Sequence, residues 1–212
     1  KLGRVRLRLS PNPFTGTDFK QELRLQDGGV YISGGKTRLH LWVDVFRSVV
    51  HAELQSDKPV NVKAAYESWR YEDRLVHGTA IRENSYKTPQ KFDLKTYKDE
   101  IAFRNNELWF YHRNRDDVPN LFDFTVRLEG MESVKSQLYN PIKNNTFGGA
   151  MRTRTMKPAG TATGKYLDTD FKAWNLETPR PVRTEHLELV LNTAPTSTLA
   201  EWENTVVRRQ RE

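Results

Sequence analysis

The chain has no cysteine in its 212 residues. That excludes disulfides, thiolate metal sites and cysteine nucleophiles together. It fits a bacterial cytoplasm or periplasm and does not fit a small, disulfide-stapled animal domain. No stretch approaches the roughly 18 consecutive apolar residues of a membrane-spanning helix. The opening Lys1-Leu2-Gly3-Arg4 lacks the apolar core of a signal peptide. Val5-Arg6-Leu7-Arg8-Leu9 already alternates like a strand inside a domain, so the true start is expected upstream. Hydrophobic residues are scarce at 36%, but an aromatic content of 11% supplies large buried areas per side chain. The length suits one large β domain or two small ones.

An acidic excess is also missing. The formal net charge is +7, which raises nucleic acid as a partner. The distribution argues against it. The 34 Lys and Arg are interspersed with 27 Asp and Glu, and the densest basic cluster, Arg208-Arg209-Gln210-Arg211, is a chain end. No nucleic-acid partner and no membrane partner is expected.

What the chain has is period-two alternation along its length. Val5, Leu7 and Leu9 oppose Arg4, Arg6 and Arg8; Phe19, Leu23 and Leu25 oppose Lys20, Glu22 and Arg24. Asp27-Gly28-Gly29 and Ser33-Gly34-Gly35-Lys36 read as turns, leading to strands over Val30–Ile32 and Thr37–Asp44. Val49–Gln55 and Val60–Trp69 read as two strands parted by a turn at Ser56-Asp57-Lys58-Pro59. Glu83–Asp99 reads as a polar excursion or a short helix. Strands resume at Ile101–Arg104 and Leu108–His112, and Leu121–Glu129 alternates with Phe122, Phe124, Val126 and Leu128 on one face. Pro158–Pro181 looks loop-rich, and His186–Asn192 alternates again. The clearest helix is at the C-terminus: Thr198 with Glu201 forms a capping box, and Leu199, Trp202 and Val206 share a face. Ten or more short strands predict an all-β protein, a large antiparallel β-sandwich over 1–195, followed by a linker helix over 196–212.

The segment richest in chemistry is Glu107-Leu108-Trp109-Phe110-Tyr111-His112-Arg113-Asn114. Aromatics that favour a pleated surface give way to three hydrogen-bonding side chains at a strand tip, where binding groups concentrate. His112 and Asn114 would share one face and Arg113 the other. A ligand contact at His112 competes with a satisfied strand-end histidine, and Asn114 with a turn. Trp69-Arg70 ends another strand. An aromatic platform there competes with plain core packing, as it does at Trp42 and Trp109. Phe147-Gly148-Gly149 matches no phosphate loop and marks a bulge or close backbone approach. Glycosidases need two carboxylates at fixed separation. Asp116/Asp117, Asp168/Asp170 and Glu129/Glu132 are the adjacent acids, and nothing sets any pair across a substrate. No catalytic residue is expected in this chain. His40, His51, His77 and His186 follow no metal-ligand spacing, so no metal and no cofactor are expected.

Several segments together resemble a family. Lys1–Leu7 followed by Ser10-Pro11-Asn12-Pro13-Phe14 is similar to the start of an uncharacterised bacterial N-terminal domain. Trp42-Val43-Asp44, Glu67-Ser68-Trp69-Arg70, Tyr111-His112-Arg113-Asn114 and Thr146-Phe147-Gly148-Gly149 look like its recurrent motifs, in the same order, out to about Trp202. That domain occurs in large proteins related to fucosidase-type glycoside hydrolases. The resemblance implies a β-supersandwich of the galactose-mutarotase kind, packed on a downstream (α/α)₆ barrel that holds the catalytic acids. It implies a periplasmic or secreted bacterial protein and carbohydrate as the ligand. The residues it places at the rim are Trp69, Arg70, His112, Arg113, Asn114 and Phe147. A stand-alone carbohydrate-binding module and a ligand-free β-sandwich interaction domain remain as alternatives.

Overall fold

One strand ties the molecule together. In a computed structural model that describes residues 2–76 and 94–212, β5 (Val49–Ser68) runs for 20 residues without a break. The other strands are β1 (Arg4–Ser10), β2 (Lys20–Arg24), β3 (Gly29–Gly34), β4 (Thr37–Asp44), β6 (Arg74–Val76), β7 (Leu94–Thr96), β8 (Glu100–Arg104) and β9 (Glu107–Arg113). Then come β10 (Asn145–Thr153), β11 (Lys157–Tyr166), β12 (Thr169–Glu177) and β13 (Val182–Pro195). The first half of β5 lies in a sheet ordered β2-β3-β4-β5-β13-β10-β9-β8; its second half pairs with β1 and β12, and β12 with β11. Every pairing among the described residues is antiparallel. The result is the all-β sandwich expected from the alternation.

The expected turn at Ser56-Asp57-Lys58-Pro59 is instead the crossing of β5 from one sheet to the other. Pairing with β4 stops at Gln55, and pairing with β1 begins at Asn61. A proline has no N–H to give a ladder, and Pro59 sits where no neighbouring strand asks for one. Between the sheets, Leu54, Val62, Tyr66, Phe110, Met151 and Leu176 form the centre of the core. Each follows from the alternation of its strand.

Two further expectations change. Leu121–Leu128 is a helix, α1, rather than a strand. Alternating positions also contain i,i+4 pairs (Phe122 with Val126, Phe124 with Leu128), so periodicity leaves the choice open. The cap decides it. The Asn120 side chain accepts from the amides of Phe122 and Asp123, and the Asp123 carboxylate accepts from the Asn120 amide at 2.8 Å. A 3₁₀ turn follows at Glu132–Gln137. The region Pro158–Pro181, expected as loop, holds β11 and β12. β11 is an exposed edge strand, where Pro158 is tolerated. Its register shifts between Pro158 and Thr161, across Gly160 at φ +78°. Of the polar excursion Glu83–Asp99, residues 83–93 lie outside the described residues, as do Lys1 and His77.

The C-terminal helix α2 (Leu199–Arg211) starts where expected, with Thr198 and Glu201 in a reciprocal capping box. It lies on the outer face of the large sheet. There Trp202 and Val206, both fully buried, pack on Val49, Trp109, Ala150 and Val190. The Trp202 indole donates to the carbonyl of Asn192 at 3.3 Å.

Candidate functional site

The site lies where β5 and β9 end beside the starts of β8 and β10. Ser68 closes β5 with its hydroxyl turned inward, and the chain leaves through Trp69 and Arg70. The Asp99 amide donates to the Arg70 carbonyl at 2.7 Å, which ties the two segments together. This carries the Asp99 carboxylate into the protein, with its side chain only 2% exposed. A buried carboxylate needs partners to offset its desolvation. Asp99 has three. Oδ1 lies 2.8 Å from Arg70 Nη2 and 3.1 Å from His112 Nδ1, and Oδ2 accepts from the Ser68 hydroxyl at 3.3 Å. The Arg70 contact is an ion pair by distance without good hydrogen-bond alignment, and Nε and Nη2 of Arg70 have no hydrogen-bond acceptor among the described residues.

Phe147 completes the group. It stands directly opposite His112 in the β9–β10 ladder. The two rings are 5.2 Å apart, and the Arg70 guanidinium lies 5.1 Å from the Phe147 ring centre. The next two residues show why glycine follows. A Cβ on Gly148, at φ +154°, would meet the Phe110 carbonyl oxygen at 2.1 Å, and one on Gly149 would meet that of Val190 at 1.9 Å. The expected close backbone approach is present, and it lets β10 lie tightly between β9 and β13.

The chemistry of this arrangement is specific. The carboxylate at Nδ1 orients the His112 ring and turns Nε2 away from Asp99 as the second polar atom of the ring. Arg70 offers cationic donors, and Phe147 an apolar ring beside both. Arg70, His112 and Phe147, separated by up to 77 residues in sequence, form one cluster.

The other three expected residues lie elsewhere. Trp69 packs in edge contact with Tyr166 and Phe171, and the Arg4 guanidinium sits 5.6 Å from its ring. Arg113 points away from His112, as alternation requires. Its guanidinium donates to the Asn144 carbonyl at 3.2 Å, the Thr146 hydroxyl at 2.7 Å and the Thr196 carbonyl at 2.8 Å. Asn114 donates to the carbonyl of Ile142 at 2.8 Å, and its amide to that of Asn145 at 2.9 Å. Both therefore brace the segments on either side of an open polar cleft of about 930 Å³, lined in part by Asn120, Asn144, Thr196 and Tyr139.

Asp99 and Ser68 were not singled out from sequence. Ser68 lies inside the Glu67-Ser68-Trp69-Arg70 motif, but Asp99 closes a polar stretch and looks like any solvated acid. Of the adjacent acids, Asp117 pairs with the neighbouring Arg115, whose side-chain hydrogen bond holds its carboxyl below the usual range, and Asp170 with Lys165 at 3.4 Å. The histidines that look dispersed in sequence do meet. His40, His51 and His186 gather on the outer face of the large sheet, because register rather than spacing brings them together.

Comparison with protein families matches residues 1–212 to an N-terminal domain described as a domain of unknown function, DUF5703. The chain belongs to the DUF5703 family. No functionally curated protein matches it. The match spans every motif quoted above, so Arg70, His112 and Phe147 all lie within this DUF5703 domain.

Proposed function

We propose that this DUF5703 domain is the non-catalytic β-supersandwich of a bacterial glycoside hydrolase. It packs against a helical catalytic barrel and contributes Arg70, His112 and Phe147 to the carbohydrate site. The observation that carries the reading is the buried Asp99 carboxylate, which fixes a cation and a histidine beside an aromatic ring. Sugar hydroxyls need such donors and acceptors, and the C–H face of a pyranose suits an aromatic ring. Preorganised side chains of this kind lose little freedom on binding.

The domain's role is binding and positioning rather than bond cleavage. Glycoside hydrolysis uses two carboxyl groups about 5–10 Å apart, one of which protonates the leaving oxygen. Asp99 is committed to Arg70, His112 and Ser68, and no second carboxylate contacts this cluster among the described residues. Trp69, Arg113 and Asn114 then act as supports: Trp69 packs the outer layer, and the other two hold the cleft wall.

The test compares the 212-residue chain with the full-length protein on a panel of aryl glycosides and plant polysaccharides. Activity in the full-length protein alone is expected. Turnover by the isolated chain, or none in either protein, would contradict the reading.

A further inference from the structure

On the outer face of the large sheet, five side chains stack across four strands. Tyr31, His40 and Trp42 lie face to face with ring centres 4.2 and 4.5 Å apart, and His51 lies 4.6 Å beyond Trp42. His186 is parallel to Trp42 as well, with centres 6.0 Å apart. The sheet register sets this order: Tyr31 opposes His40, Trp42 opposes His51, and His51 opposes Glu188. Within this row the rings turn their faces toward one another, and the Arg24 guanidinium lies 4.1 Å from the Tyr31 ring centre. The inner end of the row is different.

His51 Nδ1 and His186 Nε2 are 3.1 Å apart, with the ring planes within 9° and the centres 5.3 Å apart. That centre separation is close to the nitrogen distance plus two ring radii. The two imidazoles therefore lie edge to edge in one plane under Trp42, with their nitrogens facing each other. A neutral pair of this kind holds one proton between two lone pairs. Glu188, two residues along β13 from His186, turns Oε1 to within 3.7 Å of His51 Nδ1. Its other oxygen, Oε2, pairs with Arg152.

We propose that His51, His186 and Glu188 bind a divalent transition-metal ion of the zinc class, which takes the place of the shared proton between the two imidazoles. Nitrogen ligands sit about 2.0–2.1 Å and carboxylate oxygens about 2.0–2.2 Å from such an ion, so tetrahedral ligands lie roughly 3.3–3.6 Å apart. The pairs given above, 3.1 Å and 3.7 Å, bracket that span, and all three ligand atoms lie within 4.8 Å of one another. In-plane rotation of both rings turns their lone pairs from each other onto the ion. The shared proton then moves to the second nitrogen of the ring that held it, leaving both imidazoles neutral. Three protein ligands leave one position for water.

The surroundings favour this chemistry. The His51 side chain is 5% exposed and stacks on Trp42, which holds its Nδ1 toward His186 and Glu188. Arg152 orients the Glu188 carboxylate through Oε2 while Oε1 faces the histidines, as an outer-shell partner does. The charged groups nearest the pair are Glu188 with Arg152 and Asp44 with Arg47, two neutralised sets, and Glu53 opposes His186 in the ladder. An ion here would staple β5 to β13 beside helix α2.

The test is calorimetric titration of chelator-treated protein with Zn²⁺ at neutral pH, with Co²⁺ absorption as a second readout. One equivalent of Zn²⁺ should bind, and Co²⁺ should give the intense visible bands of a four-coordinate site. His186→Ala and Glu188→Gln should each weaken binding by about 10- to 100-fold or more, since even outer-shell losses reach that range. Glu188→Gln keeps the shape and guards against a folding defect, which far-UV circular dichroism checks. His112→Ala should leave binding unchanged. Zn²⁺ should also raise the Tm of the wild type and leave that of His186→Ala where it is. Equal affinity in wild type and His186→Ala, no binding at millimolar Zn²⁺, or a weak six-coordinate Co²⁺ spectrum would each overturn the proposal.

Discussion

Replacing Asp99 by alanine tests whether a buried carboxylate organises the ends of β5 and β9 and the start of β10. The change removes the ion pair to Arg70, the bond to His112 and the acceptor for Ser68. Breaking a buried pair by deleting one partner costs about 3–5 kcal/mol, because the other charge stays desolvated. The Arg70 side chain is 19% exposed and can reach some water, which lowers the expected loss to about 2–4 kcal/mol. For a chain of this size, each kcal/mol moves Tm by about 2–4 °C, so a fall of roughly 5–15 °C is expected. Urea denaturation of Asp99→Ala, Arg70→Met and the double variant measures the coupling directly. It should be at least about 1 kcal/mol, as contacting residues in one network show. Asp99→Ala within about 0.5 kcal/mol of wild type, the range of an ordinary surface substitution, would refute the reasoning.

Other consequences follow from the same geometry. Arg113→Ala should cost about 2–3 kcal/mol by freeing several carbonyl and hydroxyl acceptors at the start of α2, and hydrogen exchange should show faster opening of residues 199–211 while β1–β4 stay protected. Gly149→Ala places a methyl against the Val190 carbonyl, where neither backbone can yield; a loss above about 4 kcal/mol or failure to fold is expected, read by circular dichroism and yield. Because burial lowers the folded pKa of His51, the unfolded chain binds more protons there, so stability should be full above the unfolded value of about 6.5 and fall as pH drops from there toward the lowered folded value. Glu188, also held low when folded, adds a loss that begins only near about 4.5 and below. Urea midpoints between pH 8 and pH 5 should show the first decline in wild type and a flatter profile in His51→Gln.

Much of the sandwich is legible in the sequence because side-chain alternation and burial are one fact in a two-layer β protein. Val5, Leu7 and Leu9 face the core in β1, and Phe110 does so in β9. The misreadings arise where local signals are shared by two structures. Pro59 marks a turn in most contexts, yet here it falls in an unpaired stretch of a continuous strand. Phe122, Phe124, Val126 and Leu128 fit either period, and the Asn120–Asp123 cap settles the matter. Pro158 and Gly160 suggest loop because an edge strand tolerates residues that a central strand does not.

The candidate site is partly legible for a related reason. His112 could be picked out as a strand-end residue and Phe147 only through the family resemblance, but their pairing is a matter of register between strands far apart in sequence. Asp99 carries no local signal at all; only the tie between its amide and the Arg70 carbonyl brings it inside. The His51–His186 contact spans 135 residues and is likewise a product of register.

The central proposal is that Arg70, His112 and Phe147 contact carbohydrate on behalf of a catalytic domain elsewhere in the protein. The most direct test is steady-state hydrolysis by the full-length protein and its His112→Ala variant, on a glycoside that the wild type cleaves. Loss of a hydrogen bond to substrate should raise KM by about tenfold, near 1.4 kcal/mol, with kcat changed far less. An unchanged KM and kcat in a variant that keeps its Tm would contradict the account.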